Sequence, residues 1–205
     1  MSHPDGRVYV LDDEPEMVKA LTRLLHARGF EVSGFTSARE FLAAFRAETP
    51  CCLVLDVAMP ELDGLQLQLR LTHHGILIPI VFLTGRGDIP MSVRAIRAGA
   101  ADFLTKPVDA DTLVQAVRAA LRLAATRQQE IQEATALAAR LARLTPRERE
   151  VMRHVVAGQL NKQIAADLGT GEQNIKLHRA HIMQKMAVES LADLVRAATR
   201  LGIGT

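Results

Sequence analysis

The sequence predicts an α/β chain: a doubly wound, five-stranded parallel sheet, then a long helix, then a small all-α domain. Three observations predict it. Across residues 1–110, short apolar runs alternate five times with segments of helical spacing. Residues 111–143 contain neither Gly nor Pro and are rich in Ala, Leu, Arg, Gln and Glu, a strong helix composition. The remainder is a series of helix-start and helix-stop signals with no strand-like run, and aromatic residues end at Phe103. The expected divisions are 1–122, a helical linker at 123–143 with coiled-coil spacing, and 144–205.

Arg7-Val8-Tyr9-Val10-Leu11 reads as a buried strand that ends in Asp12-Asp13-Glu14-Pro15. Pro15 suits a helix start, Val18, Leu21, Leu24 and Leu25 follow at helical spacing, and Gly29 closes the helix. Glu31–Phe35 is the second strand. Ser37-Ala38-Arg39-Glu40 has the form of a capping box before a helix whose apolar face is Phe41, Leu42 and Phe45. Cys51-Cys52-Leu53-Val54-Leu55 is the third strand; it delivers Asp56 to its end, and Pro60 stops any further ladder. After the Asp63-Gly64 turn, Leu65, Leu67, Leu69 and Leu71 alternate as a strand would. A helix is expected instead, because the βαβ rhythm needs one and Gln66, Gln68 and Arg70 form helices well. Ile78–Thr84 is the fourth strand, Gly85-Arg86-Gly87-Asp88 a loop, and Met91, Ala95 and Ile96 a helix stopped by Gly99. Ala101–Leu104 is a short fifth strand before Thr105-Lys106-Pro107, and a helix begins near Asp109.

Ligands of such sheets bind beyond the carboxyl ends of the strands. Those ends bring together Asp12, Asp13, Asp56, Thr84 and Lys106. Singly, each has a plain structural reading: a turn acid, a strand-end cap, a surface lysine before a turn proline. Together they make chemical sense. Clustered carboxylates repel unless a cation sits among them, and Mg²⁺ prefers a few carboxylates, a carbonyl, waters and a phosphate oxygen. A carboxylate can itself accept a phosphoryl group, a transfer that needs charge neutralisation above all. Lys106 and Thr84 supply a point charge and a hydrogen-bond donor for phosphoryl oxygens.

The stretches Val10-Leu11-Asp12-Asp13, Leu55–Gly64, Leu83-Thr84-Gly85, Gly99–Phe103 and Lys106-Pro107 resemble the receiver domain of two-component response regulators, over residues 1–125 or so. Thr84–Met91 further resembles the FixJ-like branch. The resemblance implies a flavodoxin-like receiver with Asp56 as phosphoacceptor. It implies Mg²⁺ held by Asp13, Asp56 and the Ala58 carbonyl, with Asp12 acting through water. Thr84 and Phe103 would be the switch pair, Lys106 a phosphate contact, and the Lys106–Pro107 bond cis. Two positions depart from the family pattern. Ala58 stands where a larger polar or basic side chain is frequent, which leaves a backbone ligand unchanged and bears on phosphoryl lifetime. Val108 stands where Phe is common.

In the middle, Val114, Val117, Leu121, Ala124, Gln128, Ile131, Thr135, Ala138 and Ala142 fall at alternating spacings of three and four, the seam of a coiled coil. A single continuous helix is favoured over a broken one. Leu144-Thr145-Pro146-Arg147-Glu148 then combines N-cap Thr, Pro at N1 and Glu at N3. Gly158 ends that helix, and a short helix carries Ile164, Ala165 and Leu168. After the Gly169-Thr170-Gly171 turn, Thr170 and Gln173 form a second capping-box pattern. Ser190 and Asp193 open the last helix, with Leu191, Leu194, Val195 and Leu201. A tight turn between two helices, the second bearing Lys176, His178, Arg179 and Lys185, reads as a helix-turn-helix; the plain alternative is a helical bundle with a solvated basic face.

Residues 144–205 resemble the LuxR-type output domain, through Leu144–Glu148, Asn161–Ala165, Asn174–Arg179 and Ile182–Met186. The resemblance implies a recognition helix over Glu172–Lys185 in the major groove. Lys176, Leu177 and Ala180 would face base edges, and Asn161, Lys162, His178 and Arg179 would meet phosphates. Gln173, Asn174 (in place of the usual Thr) and Lys185 complete the expected DNA-binding set, and the final helix is the expected dimer seam.

Charge distribution agrees with two partners: residues 1–110 carry a net −3, residues 111–143 +2 and residues 144–205 +3. The aromatic-free tail is poorly suited to stacking on unpaired bases. The adjacent Cys51 and Cys52 fit neither a disulfide framework nor a CxxC metal site. No apolar run approaches a membrane span, and Met1–Asp5 has no signal pattern, so a cytoplasmic, non-membrane protein is expected. Together the two resemblances imply a non-enzymatic regulator that takes a phosphoryl group from a sensor histidine kinase. It would then dimerise and bind double-stranded promoter DNA, with RNA polymerase a further candidate partner. Two alternatives are a constitutive DNA-binding protein with a scaffold receiver and an aspartyl-phosphate phosphohydrolase. The hydrolase would need a second acid two residues after the nucleophile, where Ala58 stands.

Overall fold

Strand residues alternate between two apolar layers, which is what a sheet covered on both faces requires. Cys52 and Val54 join Val8, Val10, Val81 and Leu83 in one cluster, while Cys51, Leu53 and Leu55 join Tyr9, Leu11, Ile80 and Phe82 in the other. The structure is a computed structural model that describes residues 6–46, 50–60, 62–85, 95, 96 and 98–203. By its contacts the chain divides into two compact units, Met1–Gln128 and Gln129–Thr205.

In the first unit the elements are β1 (Arg7–Leu11), α1 (Pro15–Ala27), β2 (Glu31–Phe35), α2 (Ala38–Ala44), β3 (Cys51–Asp56), α3 (Gly64–His73), β4 (Ile80–Thr84) and β5 (Asp102–Thr105). A long helix, α4 (Ala110–Ala142), follows. The five strands form one parallel sheet in the order β2-β1-β3-β4-β5, the flavodoxin-like arrangement whose switch point lies between β1 and β3. β4 begins two residues later than its apolar run suggests: Pro79 contributes only its carbonyl, which accepts from Leu53 at 3.0 Å. β5 is shifted by one residue from expectation. Of the expected fourth helix, Ala95 and Ile96 are helical, while Met91 and the Arg86–Asp88 loop lie outside the described residues.

The alternating leucines of α3 are a helix, as the βαβ rhythm requires. Leu67 and Leu71, four apart, are buried, and Leu69 is 62 % exposed. Its N-cap is Asp63, whose carboxylate accepts from the Gln66 amide at 2.7 Å. The capping box expected at Ser37 is only half formed. Ser37 accepts from the Glu40 amide, but the Glu40 carboxylate takes the Thr36 hydroxyl instead of the Ser37 amide.

α4 is continuous for 33 residues, and the members of the expected coiled-coil seam differ in burial along it. Val114, Val117, Leu121 and Ala124 are buried in the first unit, the first three in the apolar cluster that also holds Leu21 and Leu25 of α1. No residue from 125 to 136 is buried, and Ile131 is 60 % exposed. Further on, Leu137 and Leu141, off the seam, pack on the second unit's apolar cluster.

The second unit adds α5 (Pro146–Val156), α6 (Asn161–Asp167), α7 (Glu172–Met186) and α8 (Leu191–Arg200) around Val151, Met152, Ile164, Ile175, Ile182 and Leu194. The capping boxes at Thr145/Glu148 and Ser190/Asp193 are present. The one expected at Thr170/Gln173 is not. Gly171 is the N-cap, without a side-chain bond, and the Thr170 hydroxyl accepts from the Asn174 amide group at 3.1 Å.

Candidate phosphoryl-acceptor and DNA-binding sites

β1 and β3 run in register, Leu11 beside Leu55, so the next residue of each, Asp12 and Asp56, emerge side by side at the sheet's carboxyl edge. Both carboxylates are buried, 1 % and 4 % exposed. Lys106, one residue past β5, reaches them: its Nζ lies 2.6 Å from Asp12 Oδ2 and 2.6 Å from Asp56 Oδ1. Burial works against the Lys106 ammonium, but hydrogen bonds and charge attraction from Asp12 and Asp56 outweigh it and hold its pKa above the ordinary lysine value. The lysine is fixed at its base by its own amide, which donates to the Thr84 carbonyl at 2.7 Å, and it is followed by a cis peptide bond to Pro107. Val108 packs on the first apolar cluster.

Thr84 is 2 % exposed at the end of β4. Phe82 pairs with Phe103 across β4 and β5, and Thr84, two residues past Phe82, shares that sheet face. Thr84 and Phe103 therefore lie on one face, the Phe103 ring 6.1 Å from that of Phe82. Asp13 is half-buried and Ala58 exposed at the same edge. Among the described residues, no group of three or more His, Cys, Asp or Glu side chains is arranged to hold a metal ion. Asp12 and Asp56 form a buried pair bridged by Lys106. A pair of hard oxygen donors still fits Mg²⁺, which is held by one or two carboxylates and keeps several waters.

Gly64 is a site residue that the sequence reading treated only as a turn. A Cβ there would lie 2.5 Å from the Asp56 carbonyl and 3.1 Å from the Val57 Cα. The Gly64 amide donates to the Val57 carbonyl at 3.0 Å, closing the loop after β3. Gly64→Ala is expected to lower stability by about 1–3 kcal/mol through overpacking against backbone, read as a lower denaturation midpoint of the first unit. Gln68 was also missed. It is 3 % exposed and donates to the carbonyls of Ala95 and Ala98, at 3.4 and 3.1 Å.

In the second unit α6 and α7 meet at the Gly169–Gly171 turn, with Gly169 at φ +61°. Arg147 braces this turn by donating to the Leu168 carbonyl at 2.7 Å. Ile175, Ile182 and Met186 anchor the inner face of α7. Gln173, Asn174, Lys176, Leu177 and Ala180 are exposed, as is Lys162 on α6. His178 and Arg179 are half-buried, and Arg179 donates to Asn161 at 3.0 Å.

A model of the response regulator receiver domain matches residues 8–118, and a model of bacterial regulatory proteins of the luxR family matches residues 142–198. The chain belongs to the response-regulator family. Nodulation protein W of Bradyrhizobium diazoefficiens is 45 % identical over 196 residues, 96 % of this chain and 86 % of that protein. The transcriptional regulatory protein FixJ of the same organism is 41 % identical over 198 residues, 97 % of each chain. The structure of response regulator StyR is similar at a TM-score of 0.86 and 44 % identity, over 95 % of this chain and 98 % of that one. As a response regulator of the FixJ/NarL type, the chain joins a receiver to a LuxR-type helix-turn-helix and is a DNA-binding transcriptional regulator of a two-component system. Its family consists of transcriptional regulators, and receiver domains generally bind Mg²⁺. Among the described residues no helix is long and apolar enough to cross a membrane.

One expected DNA contact of this response regulator, Lys185, is paired within the fold. The Lys185 ammonium lies 2.9 and 2.7 Å from the two carboxylate oxygens of Glu148, which is 3 % exposed. Glu148 also accepts from the Thr145 amide at 2.8 Å. Burial alone would raise the Glu148 pKa, but Lys185 and the Thr145 amide outweigh it and hold the carboxyl below its ordinary range. Lys185 thus fastens α7 to the start of α5.

Proposed function

We propose that Asp56 accepts a phosphoryl group from the phosphohistidine of a sensor kinase, and that this controls dimerisation and binding to double-stranded promoter DNA. The observation that carries the reading is Lys106 Nζ, 2.6 Å from both Asp12 and Asp56: a buried nucleophilic carboxylate with a point cation already beside it. An Asp56 carboxylate oxygen attacks phosphorus and the P–O bond forms. The P–N bond breaks, and the imidazole leaves with the electron pair and takes up a proton. Lys106 then turns to a phosphoryl oxygen, and Thr84 donates to another. Asp13, Asp56 and the Ala58 carbonyl would hold Mg²⁺, Asp12 acting through water; the ion neutralises charge on the transferring group.

The shared sheet face of Thr84 and Phe103 supports them as the switch: the hydroxyl is drawn toward the phosphoryl group and the ring turns inward behind it. The chain acts as a phosphoryl acceptor with no enzymatic turnover; Ala58 leaves the second acid of a phosphohydrolase missing. The uncovered stretch of α4 at 125–136 supports a linker at 123–143 between a receiver at 1–122 and an output domain at 144–205. Leu191, 45 % exposed on α8, supports that helix as a dimer seam. The protein works in the cytoplasm, where promoter DNA and RNA polymerase are. Sizing and footprinting of the full chain with and without beryllofluoride and Mg²⁺ test the reading. A phosphoryl mimic should favour the dimer and extend protection on DNA, and equal affinity in both states would favour a scaffold receiver instead.

A further inference from the structure

We propose that Gln68 is a positioning residue of the receiver's switch. Its side-chain amide holds the turn that leads into β5 in the unphosphorylated arrangement, and that hold is released when Phe103 turns inward. The proposal rests on the phosphoryl-acceptor reading of Asp56 and adds the group that sets how readily the switch moves.

Glutamine is seldom buried this deeply. Gln68 lies on the inner face of α3, one helical turn after Gly64 and beside Leu67 and Leu71. Its Nε2 donates to the carbonyls of Ala95 and Ala98, at 3.4 and 3.1 Å. Two carbonyl acceptors fix the orientation of the amide, since the reverse would set oxygen against oxygen. The Oε1 is thereby left buried without a hydrogen-bond partner. A buried unpaired oxygen works against the arrangement that buries it. The contact is therefore close to balance: two donated bonds hold it, and one unpaired oxygen opposes it.

This contact lies in a closed circuit with the switch residues. The Ala100 amide donates to the Ala95 carbonyl at 3.0 Å, and the Ala101 amide donates to the Ile80 carbonyl at 2.8 Å. The turn thus runs without slack into β5, where Phe103 sits. The Phe103 ring lies 6.1 Å from that of Phe82. Phe82 in turn lies against the start of α3, where a Cβ on Gly64 would meet its ring at 3.1 Å. Gly64 and Gln68, four apart, share one face of that helix. Movement of Phe103 therefore acts on α3 at two points, on Gly64 through Phe82 and on Gln68 through the turn. The Gln68 bonds are the part of this circuit that can give. One of them is long, and their release frees Oε1 to find a donor.

The test uses the full chain with Mg²⁺ and beryllofluoride. In isotope-labelled wild-type protein, the Gln68 side-chain amide is assigned through its own backbone. On addition of beryllofluoride its signal should shift, and its protons should exchange with water about fivefold faster, the equivalent of one net hydrogen bond. Gln68→Glu sets a carboxylate oxygen against the two carbonyls, so the held arrangement is disfavoured before any phosphoryl mimic binds. By linkage this variant should bind beryllofluoride about fivefold more tightly than the wild type, read by fluorine NMR. A residue with a structural role alone would lower the thermal midpoint without tightening that affinity. If Gln68→Glu does not fold, the wild-type measurement decides alone. A Gln68 amide unchanged in shift and exchange would overturn the proposal. So would a folded Gln68→Glu chain with equal or weaker affinity for beryllofluoride. A wild-type chain that binds no beryllofluoride would overturn the Asp56 reading itself, and this proposal with it.

Discussion

Asp56→Asn is expected to take up no phosphoryl group. With labelled acetyl phosphate and Mg²⁺, incorporation into the full chain should fall at least about a hundredfold, the scale of losing a nucleophile outright. The amide cannot form the acyl phosphate, and no other acid at the edge can substitute without rebuilding the site. Asp12 is buried one strand over, with its Oδ1 accepting from the Glu14 amide at 3.0 Å and its Oδ2 held by Lys106 at 2.6 Å. Folding should survive, because the change leaves Lys106 paired with Asp12 and relieves repulsion between two buried carboxylates. An unchanged thermal midpoint alongside lost incorporation separates chemistry from stability. Incorporation at the wild-type level would move the acceptor to another residue.

Glu148→Ala has the largest expected effect on stability. It leaves the 29 %-exposed Lys185 without its partner and the Thr145 amide without its acceptor. Because the Lys185 left behind is partly exposed, the lost charge-assisted hydrogen bonds cost about 1.5–3 kcal/mol, and loss of half a capping box adds about 1 kcal/mol. The second unit should therefore unfold at markedly lower denaturant while the first unit's transition stays in place. The same residue gives a pH dependence of fixed sign. Its pKa is lowered in the folded state, so its contribution is complete above the unfolded value of about 4.3. That contribution is lost as pH falls through the lower folded value. Glu148→Gln should flatten the acid limb of the second unit's stability in that window.

What could be read from the sequence was what is local. Apolar runs bounded by Gly, Pro and Asp marked β1, β3 and β4, the strands whose residues are almost all buried, while the edge strands β2 and β5 are partly polar and less buried. Their order in the sheet then brought Asp12, Asp56, Thr84 and Lys106 to one edge. The failures are non-local. Lys185 looked like a free cation because its partner Glu148 lies 37 residues away, on a helix whose N3 glutamate already had a local explanation as a cap. The first four members of the seam spacing in α4 are buried in the first unit, among strand residues and α1, a packing that the spacing alone does not distinguish from a helix pair. Gly64 gave a turn signal, yet its reason is the Asp56 carbonyl behind it, a contact that only the folded loop creates. At Thr170 the expected capping box does not form: Gly171 is the N-cap, and the Asn174 side-chain amide donates to the Thr170 hydroxyl.

Whether a phosphoryl group on Asp56 is what changes DNA affinity is decided by titrating one selected duplex with wild-type and Asp56→Asn chains, each with and without acetyl phosphate and Mg²⁺. A gain of about 5- to 150-fold is expected for the wild type, the usual range of coupling between two sites, and no gain for Asp56→Asn. An equal gain in both chains would contradict it.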